Sequence, residues 1–207
     1  MRYRPLTFAL FLLIVPVFGM VGCNATAQVS SEGSITQKDC RMKMDLSDSD
    51  TLNAWQVVND GVMGGLSQGA RFAEEDYMVF RGVINTNGGG FSSIRTRMKP
   101  GQLSGAEGIR LRIRSDGRDY KMTFRTSERW RGRSVSYQAP IPDTPAREWA
   151  DVLVPFNALE TTVFGRRVRV DPFDKSDVRE LGIILADGRD GPFRLDVRSL
   201  ECAAKKP

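Results

Sequence analysis

Ile109-Arg110-Leu111-Arg112-Ile113-Arg114 alternates aliphatic and arginine side chains without a break. Successive side chains of an extended strand point to opposite faces, so the three aliphatics share one face and the three arginines the other. A helix would scatter both sets around its circumference. The run ends at Ser115-Asp116-Gly117-Arg118-Asp119, where Gly117 supplies a position of positive φ. Tyr120-Lys121-Met122-Thr123-Phe124-Arg125 then alternates again, and the spacing predicts a hairpin. Arg125 is thereby expected to join Arg110, Arg112 and Arg114 as an outward row suited to anions, because guanidinium makes planar two-pronged contacts with phosphate and carboxylate. A solvated row that merely protects the outer face is the plain alternative.

The same period extends outward along the chain. Further strands are expected at Tyr77 to Val83, Phe91 to Arg97, Val135 to Ala139, Trp149 to Val154, Leu181 to Ala186 and Phe193 to Leu200, with Gly, Asp and Asn turns between them. No 12-residue window keeps a helical period; Phe156 to Glu160 and Lys175 to Glu180 read as single turns. About nine short strands at this spacing predict an all-β fold, a single jelly-roll β-sandwich.

The first residues read differently. Arg2 and Arg4 precede a 17-residue uncharged stretch, Leu6 to Gly22. That is the charged start and apolar core of an export signal, expected over residues 1–22. Two exits lie side by side. Met20-Val21-Gly22-Cys23 resembles a lipobox, which would acylate Cys23 and fix the protein to the cell envelope, facing the periplasm or the outside. Ala25-Thr26-Ala27 resembles an ordinary cleavage site, which would release a soluble periplasmic or secreted protein; a retained anchor is the third possibility. Residues 23–38 are polar and Ser-rich and read as a flexible tether, and the folded domain is expected over 39–203. Membrane contact is expected only through the lipid anchor. In an oxidising compartment Cys40 and Cys202 are an even pair bracketing the domain, expected as a structural disulfide.

Composition excludes more than it identifies. The 207 residues are 41% hydrophobic, carry a net charge of +5 and contain no histidine. Losing Arg2 and Arg4 with the leader lowers the charge to +3, which is no nucleic-acid signature. Without histidine there is no Ser-His or Cys-His nucleophile, no histidine base and no histidine metal site. Gly65-Leu66-Ser67-Gln68-Gly69 fits the G-x-S-x-G pattern of a hydrolase elbow, but lacks the strand-to-helix context and a base. Glu74-Glu75-Asp76 and the pair Asp187 and Asp190 fall in turns, where carboxylates serve solubility and local hydrogen bonding. No catalytic residue, cofactor or resident metal is expected.

Two glycine-rich stretches stand out: Asn59-Asp60-Gly61-Val62-Met63-Gly64-Gly65-Leu66-Ser67 and Asn85-Thr86-Asn87-Gly88-Gly89-Gly90-Phe91-Ser92. Neither fits a dinucleotide or phosphate loop, since neither opens a helix. Adjacent glycines allow close backbone approaches. The stretches therefore read either as two loops packed together at one end of the sandwich or as a contact surface in which Met63 is an adaptable apolar group.

Here the sequence becomes similar to a known family. Trp55, Asp60 to Ser67, Phe80-Arg81-Gly82 and Gly89-Gly90-Phe91-Ser92-Ser93-Ile94-Arg95 resemble the complex I intermediate-associated protein 30 family. Glu107-Gly108-Ile109, Asp116 to Tyr120, Val154-Pro155-Phe156, Phe164-Gly165-Arg166 and Gly191-Pro192-Phe193-Arg194-Leu195 follow in the family's order. The resemblance implies a galactose-binding-like jelly roll, related in fold to carbohydrate-binding modules. It also implies a chaperone-like, non-enzymatic role in assembling NADH:ubiquinone oxidoreductase; with an exported address, only that enzyme's membrane arm would be within reach. A protein partner is expected on Trp55, Asp60, Met63, Gly64, Gly65, Ser67, Asn87, Gly89 and Phe91. The alternative is a glycan or anionic polymer held by Trp130, Tyr137 or Trp149 together with the arginine row.

Overall fold

The computed structural model describes Cys40 and residues 42–204. The expected signal, the acylated Cys23 and the tether lie outside the described residues. The strands run in chain order β1 (Lys43–Asp45), β2 (Gln56–Asn59), β3 (Gln68–Ala73), β4 (Met78–Ile84), β5 (Ser92–Arg97), β6 (Ala106–Ser115) and β7 (Tyr120–Arg125). There follow β8 (Arg129–Trp130), β9 (Arg133–Ser134), β10 (Ser136–Pro140), β11 (Ala150–Pro155), β12 (Glu160–Val163), β13 (Arg166–Arg167), β14 (Glu180–Leu185) and β15 (Gly191–Ala204). One sheet has the order β11-β6-β15-β4-β3, with β1 and β4 end to end along one edge of β15. The facing sheet has the order β13-β12-β10-β7-β14-β5-β2. This is the expected all-β jelly-roll sandwich. A single helical turn after β1, α1 (Ser49–Asn53), escaped the sequence reading; the Asp48 carboxylate caps it by accepting from the Thr51 amide at 2.8 Å.

The alternating runs do bury one face each. Ile109, Leu111 and Ile113 are fully buried beneath the first sheet, and Met122, Phe124, Leu181, Ile183 and Leu185 beneath the second. Phe124, Phe156, Phe173 and Tyr137 form a ring cluster with centroids 5.1 to 5.5 Å apart.

The expected hairpin between β6 and β7 does not form. β6 lies between β11 and β15, whereas β7 lies between β10 and β14 in the opposite sheet. Alternation reveals which face of a strand is buried, and it is the same whether the next strand pairs alongside or crosses to the facing layer. The crossing is fixed by the turn's own side chains: Asp116 accepts from the Arg118 and Arg194 amides, tying the turn to β15. Arg125 consequently leaves the arginine row and shares Glu180 with Arg95 in the second sheet.

All pairings are antiparallel, so the register assigns the two ends of the sandwich. The loops 60–67, 85–91, 116–119 and 186–190 gather at one end. The opposite end holds Cys40, bonded to Cys202 of β15 with Cα atoms 6.0 Å apart, and we call it the tether end. The bond closes a loop of 162 residues, for which chain-entropy arguments give a stabilisation of about 5 kcal/mol at most. Reduction, or the double substitution Cys40→Ser/Cys202→Ser, is expected to lower Tm by roughly 10 °C. Reductant should leave the double variant's own melt unchanged.

Candidate functional site

The loop end is organised around one buried carboxylate. Asp60 opens a 3₁₀ turn after β2 and is fully buried. Its Oδ1 accepts from the Ser67 amide at 2.9 Å, and its Oδ2 from the Ser67 hydroxyl at 2.6 Å, the Gly90 amide at 2.6 Å and the Phe91 amide at 3.2 Å. The two glycine-rich stretches are therefore one unit, joined through a single side chain. Next to it, Asn59 holds the Gly69 backbone and the Ser92 hydroxyl. A Cβ at Gly65 or at Gly89 would sit closer than 3 Å to the Asp60 carboxyl, which is why those positions carry no side chain. Burial by itself raises the Asp60 pKa. The Ser67 hydroxyl and the three amides outweigh it together and hold the carboxyl below the usual carboxylate range.

A second buried carboxylate fastens the neighbouring loops. Asp187 receives both Nε and Nη2 of Arg118, at 2.9 and 2.7 Å, while Nη1 of that arginine donates to the carbonyls of Gly191 and Pro192. Burial again raises the pKa, and the Arg118 hydrogen bonds together with those of Arg189 override it, bringing Asp187 to about 2. The sequence reading placed Asp187 in a solvated turn and missed this pair, because its partner lies 69 residues away.

What the loop end presents to solvent is apolar. Val62, Met63 and Leu66 are 74, 55 and 58% exposed. They project from a segment whose two ends, Asp60 and Ser67, are buried and bonded to each other. Of the expected contact residues, Met63 and Asn87 are exposed, Gly64 turns the chain at φ 88°, and Asp60, Gly65, Ser67, Gly89 and Phe91 build the loop's frame. Trp55 is a correction: it is 1% exposed in the core, before β2 begins, at the tether end. Val62 and Leu66 were passed over, although two aliphatics in a glycine-rich loop outside any strand period were a readable signal.

The remaining candidates are paired or buried. Arg110, Arg112 and Arg114 do point outward, but they meet Glu201 at 3.2 Å, Asp151 at 2.8 Å and Asp196 at 2.7 Å on the flanking strands. The row is thus a charge-matched ladder across three strands and not a free anion patch. Tyr137 belongs to the core. Trp149 is half-buried, with the Arg114 and Arg198 guanidiniums 4.9 and 4.7 Å from its ring centroid, and Trp130 carries Arg131 in the same way. Ser67 of the G-x-S-x-G match is buried, and its hydroxyl is committed to Asp60 and to the Asn85 amide. Among the described residues no three His, Cys, Asp or Glu side chains come together as a metal cage.

The sequence profile of complex I intermediate-associated protein 30 matches residues 44–197, which takes in both glycine-rich stretches and both carboxylate hubs. The chain belongs to this family. No curated protein matches it. Among solved structures it is similar to the family 11 carbohydrate-binding module from Clostridium thermocellum in complex with a β-1,3-1,4-mixed-linked tetrasaccharide, at 15% identity and TM-score 0.57, over 79% of this chain and 98% of that one. It is also similar to the family 11 module of a cellulosomal cellulase of the same organism, at 14% identity and TM-score 0.59, over 81% and 97%. At such identity the likeness is one of fold: a galactose-binding-like β-sandwich.

If Asp60 is the hub of this family member's loop end, Asp60→Ala leaves four buried donor contacts unmet and should cost about 4 kcal/mol. Met63→Ala, on the exposed loop, should stay within about 0.5 kcal/mol. Chemical denaturation of the three proteins at one pH checks both. The lowered pKa values of Asp60 and Asp187 also set a pH response. Their contributions are complete above the unfolded carboxylate value near 4 and are lost as pH falls through the lowered folded-state values, about 2 for Asp187. Stability should therefore decline below about pH 4. Asp187→Asn should be weaker at neutral pH and show a shallower acid limb.

Proposed function

We propose that this domain is a non-enzymatic, chaperone-like binding protein of the cell envelope, which holds a subunit of a membrane complex during assembly. The observation that carries the reading is the exposed Val62–Met63–Leu66 knob on a loop locked by the buried Asp60. Aliphatic side chains exposed on a rigid frame fit apolar surface that an unassembled partner has not yet covered. Rigidity also lowers the ordering cost of binding, since the loop is already in place. The family's description, an intermediate-associated protein of complex I, supports an assembly role. The basic start and uncharged stretch before Cys23 support export, and with it a partner exposed on the outer side of the membrane.

A second reading, glycan binding, draws on the carbohydrate-binding fold relatives and on an open groove of about 440 Å³ on the outer face of the first sheet. Gly69 and Gly82 floor the groove, with Phe72, Val83 and Pro192 along its walls. A photo-crosslinker at position 63 in cells separates the two readings. Under the first, it captures defined subunits of an assembling membrane complex, and Met63→Glu/Leu66→Glu abolishes capture while leaving Tm unchanged. Equal loss of stability and capture would reduce the loop to a structural element. Titration with a mixed-linked β-glucan oligosaccharide that shifts groove residues, with the knob variants binding as well as wild type, would favour the second.

A further inference from the structure

At the tether end two short hairpins stand side by side, and each departs from the usual chemistry of its turn. Pairing of Trp130 with Arg133 leaves a two-residue loop, Arg131-Gly132, and pairing of Val163 with Arg166 leaves Phe164-Gly165. Both residues of each loop have positive φ, 50° and 78° in the first, 49° and 76° in the second. That pair of values marks a primed hairpin turn, whose first position normally takes Asn, Asp or Gly because larger side chains are strained there. Here an arginine and a phenylalanine occupy it, both exposed, with Phe164 at 68%. The strain holds these two side chains out at the tips, where neither contributes to the core.

The Arg133 guanidinium lies 5.0 Å from the Phe164 ring centroid and joins the two hairpins, and Arg131 lies 4.7 Å over the half-buried Trp130. Segments 128–134 and 160–171 carry six arginines, at 129, 131, 133, 166, 167 and 169, against Glu128, Glu160 and Asp171. Arg167 is spent on Glu160. Towards the opposite edge the turn between β3 and β4 carries Glu74 and Glu75, with Asp76 paired to Arg198.

We infer that this arginine and aromatic edge is a docking surface for anionic phospholipid headgroups. Guanidinium suits phosphate, and aromatic rings settle at the level where a bilayer turns from polar to apolar. The position of the chain argues for a bilayer over a soluble polyanion. The polypeptide enters the sandwich at this end, through Cys40, and Cys23, the expected acylation site, lies 17 residues upstream of that entry. The acidic turn tilts the domain so that the β12–β13 edge leads. The knob then faces away from the lipid, so this surface stands or falls independently of the reading of Val62, Met63 and Leu66.

The test uses the full chain and vesicles of phosphatidylcholine alone or with about 30 mol% phosphatidylglycerol. The expected acyl group on Cys23 would attach the chain to both kinds of vesicle alike, and the edge is expected to add about tenfold stronger partitioning onto the anionic ones at low salt. Arg131→Glu/Arg133→Glu/Arg166→Glu should erase that preference with an unchanged melt, since all three side chains are exposed. Phe164→Trp should shift its emission to the blue on anionic vesicles, and Met63→Trp at the far end should not. Equal partitioning onto both vesicles overturns the proposal. So does a preference that survives the triple substitution, or a shift at position 63 without one at 164. Binding of a soluble sulfated polysaccharide to the edge, without any preference for anionic vesicles, would overturn it in favour of an acidic glycan.

Discussion

The Asp60 carboxylate is the constraint on which the loop end depends. A charge removed from water is costly unless donors surround it, and here one hydroxyl and three amides, from segments some thirty residues apart, supply them. Once the carboxylate is in place, Gly65 and Gly89 cannot carry side chains, the Ser67 hydroxyl is buried and hydrogen-bonded, and the Asp60–Ser67 segment has fixed feet. The exposed aliphatics follow from the same fact. A loop pinned at both ends by a buried group has nowhere to turn Val62, Met63 and Leu66 except towards solvent.

The two ends of the sandwich are secured by different chemistry. The tether end has a covalent bond between its first and last segments, while the loop end relies on two buried carboxylates, Asp60 and Asp187, reached by donors distant in sequence. The first is sensitive to redox conditions and indifferent to acid, and the second is the reverse. A domain with this division keeps its covalent closure in acid longer than it keeps its loops. Side chains outside those hubs are mostly matched locally. The arginine ladder of β6 is an example: Asp151, Glu201 and Asp196 lie in register beside it, so it adds cross-strand pairing.

Much of the architecture was legible because sandwich strands write their burial at period two. Ile109, Leu111 and Ile113 had to face inward, and they do. What alternation could not convey was partnership: β6 and β7 read as neighbours and belong to opposite layers, and Arg125 went with β7. Strands such as Gln68–Ala73 were invisible because an edge strand that is mostly half-buried or exposed shows no alternation. The candidate site was legible in outline. The glycine-rich stretches do meet, yet most of the distinctive residues, Asp60, Gly65, Ser67 and Gly89, are the frame, and the surface consists of the ordinary aliphatics between them. Trp55 shows the same confusion, since a residue that is distinctive for a family can be so for packing alone. The twin hairpin tips were missed because Arg131 and Phe164 signal a turn only through φ, which composition does not reveal.

The bond between Cys40 and Cys202 has one more consequence. With Cα atoms 6.0 Å apart at one end, the folded chain is nearly a closed ring. Such a domain can be spliced as a cassette into a surface turn of another protein, with both junctions on the same side and little distortion of the host. It is also open to being cut elsewhere: joining the segments beside Cys40 and Cys202 with a short linker and cutting in the largely exposed stretch 142–148 would yield a permuted chain with the same sandwich. Sequence order in this fold is thus a matter of where the ring is cut.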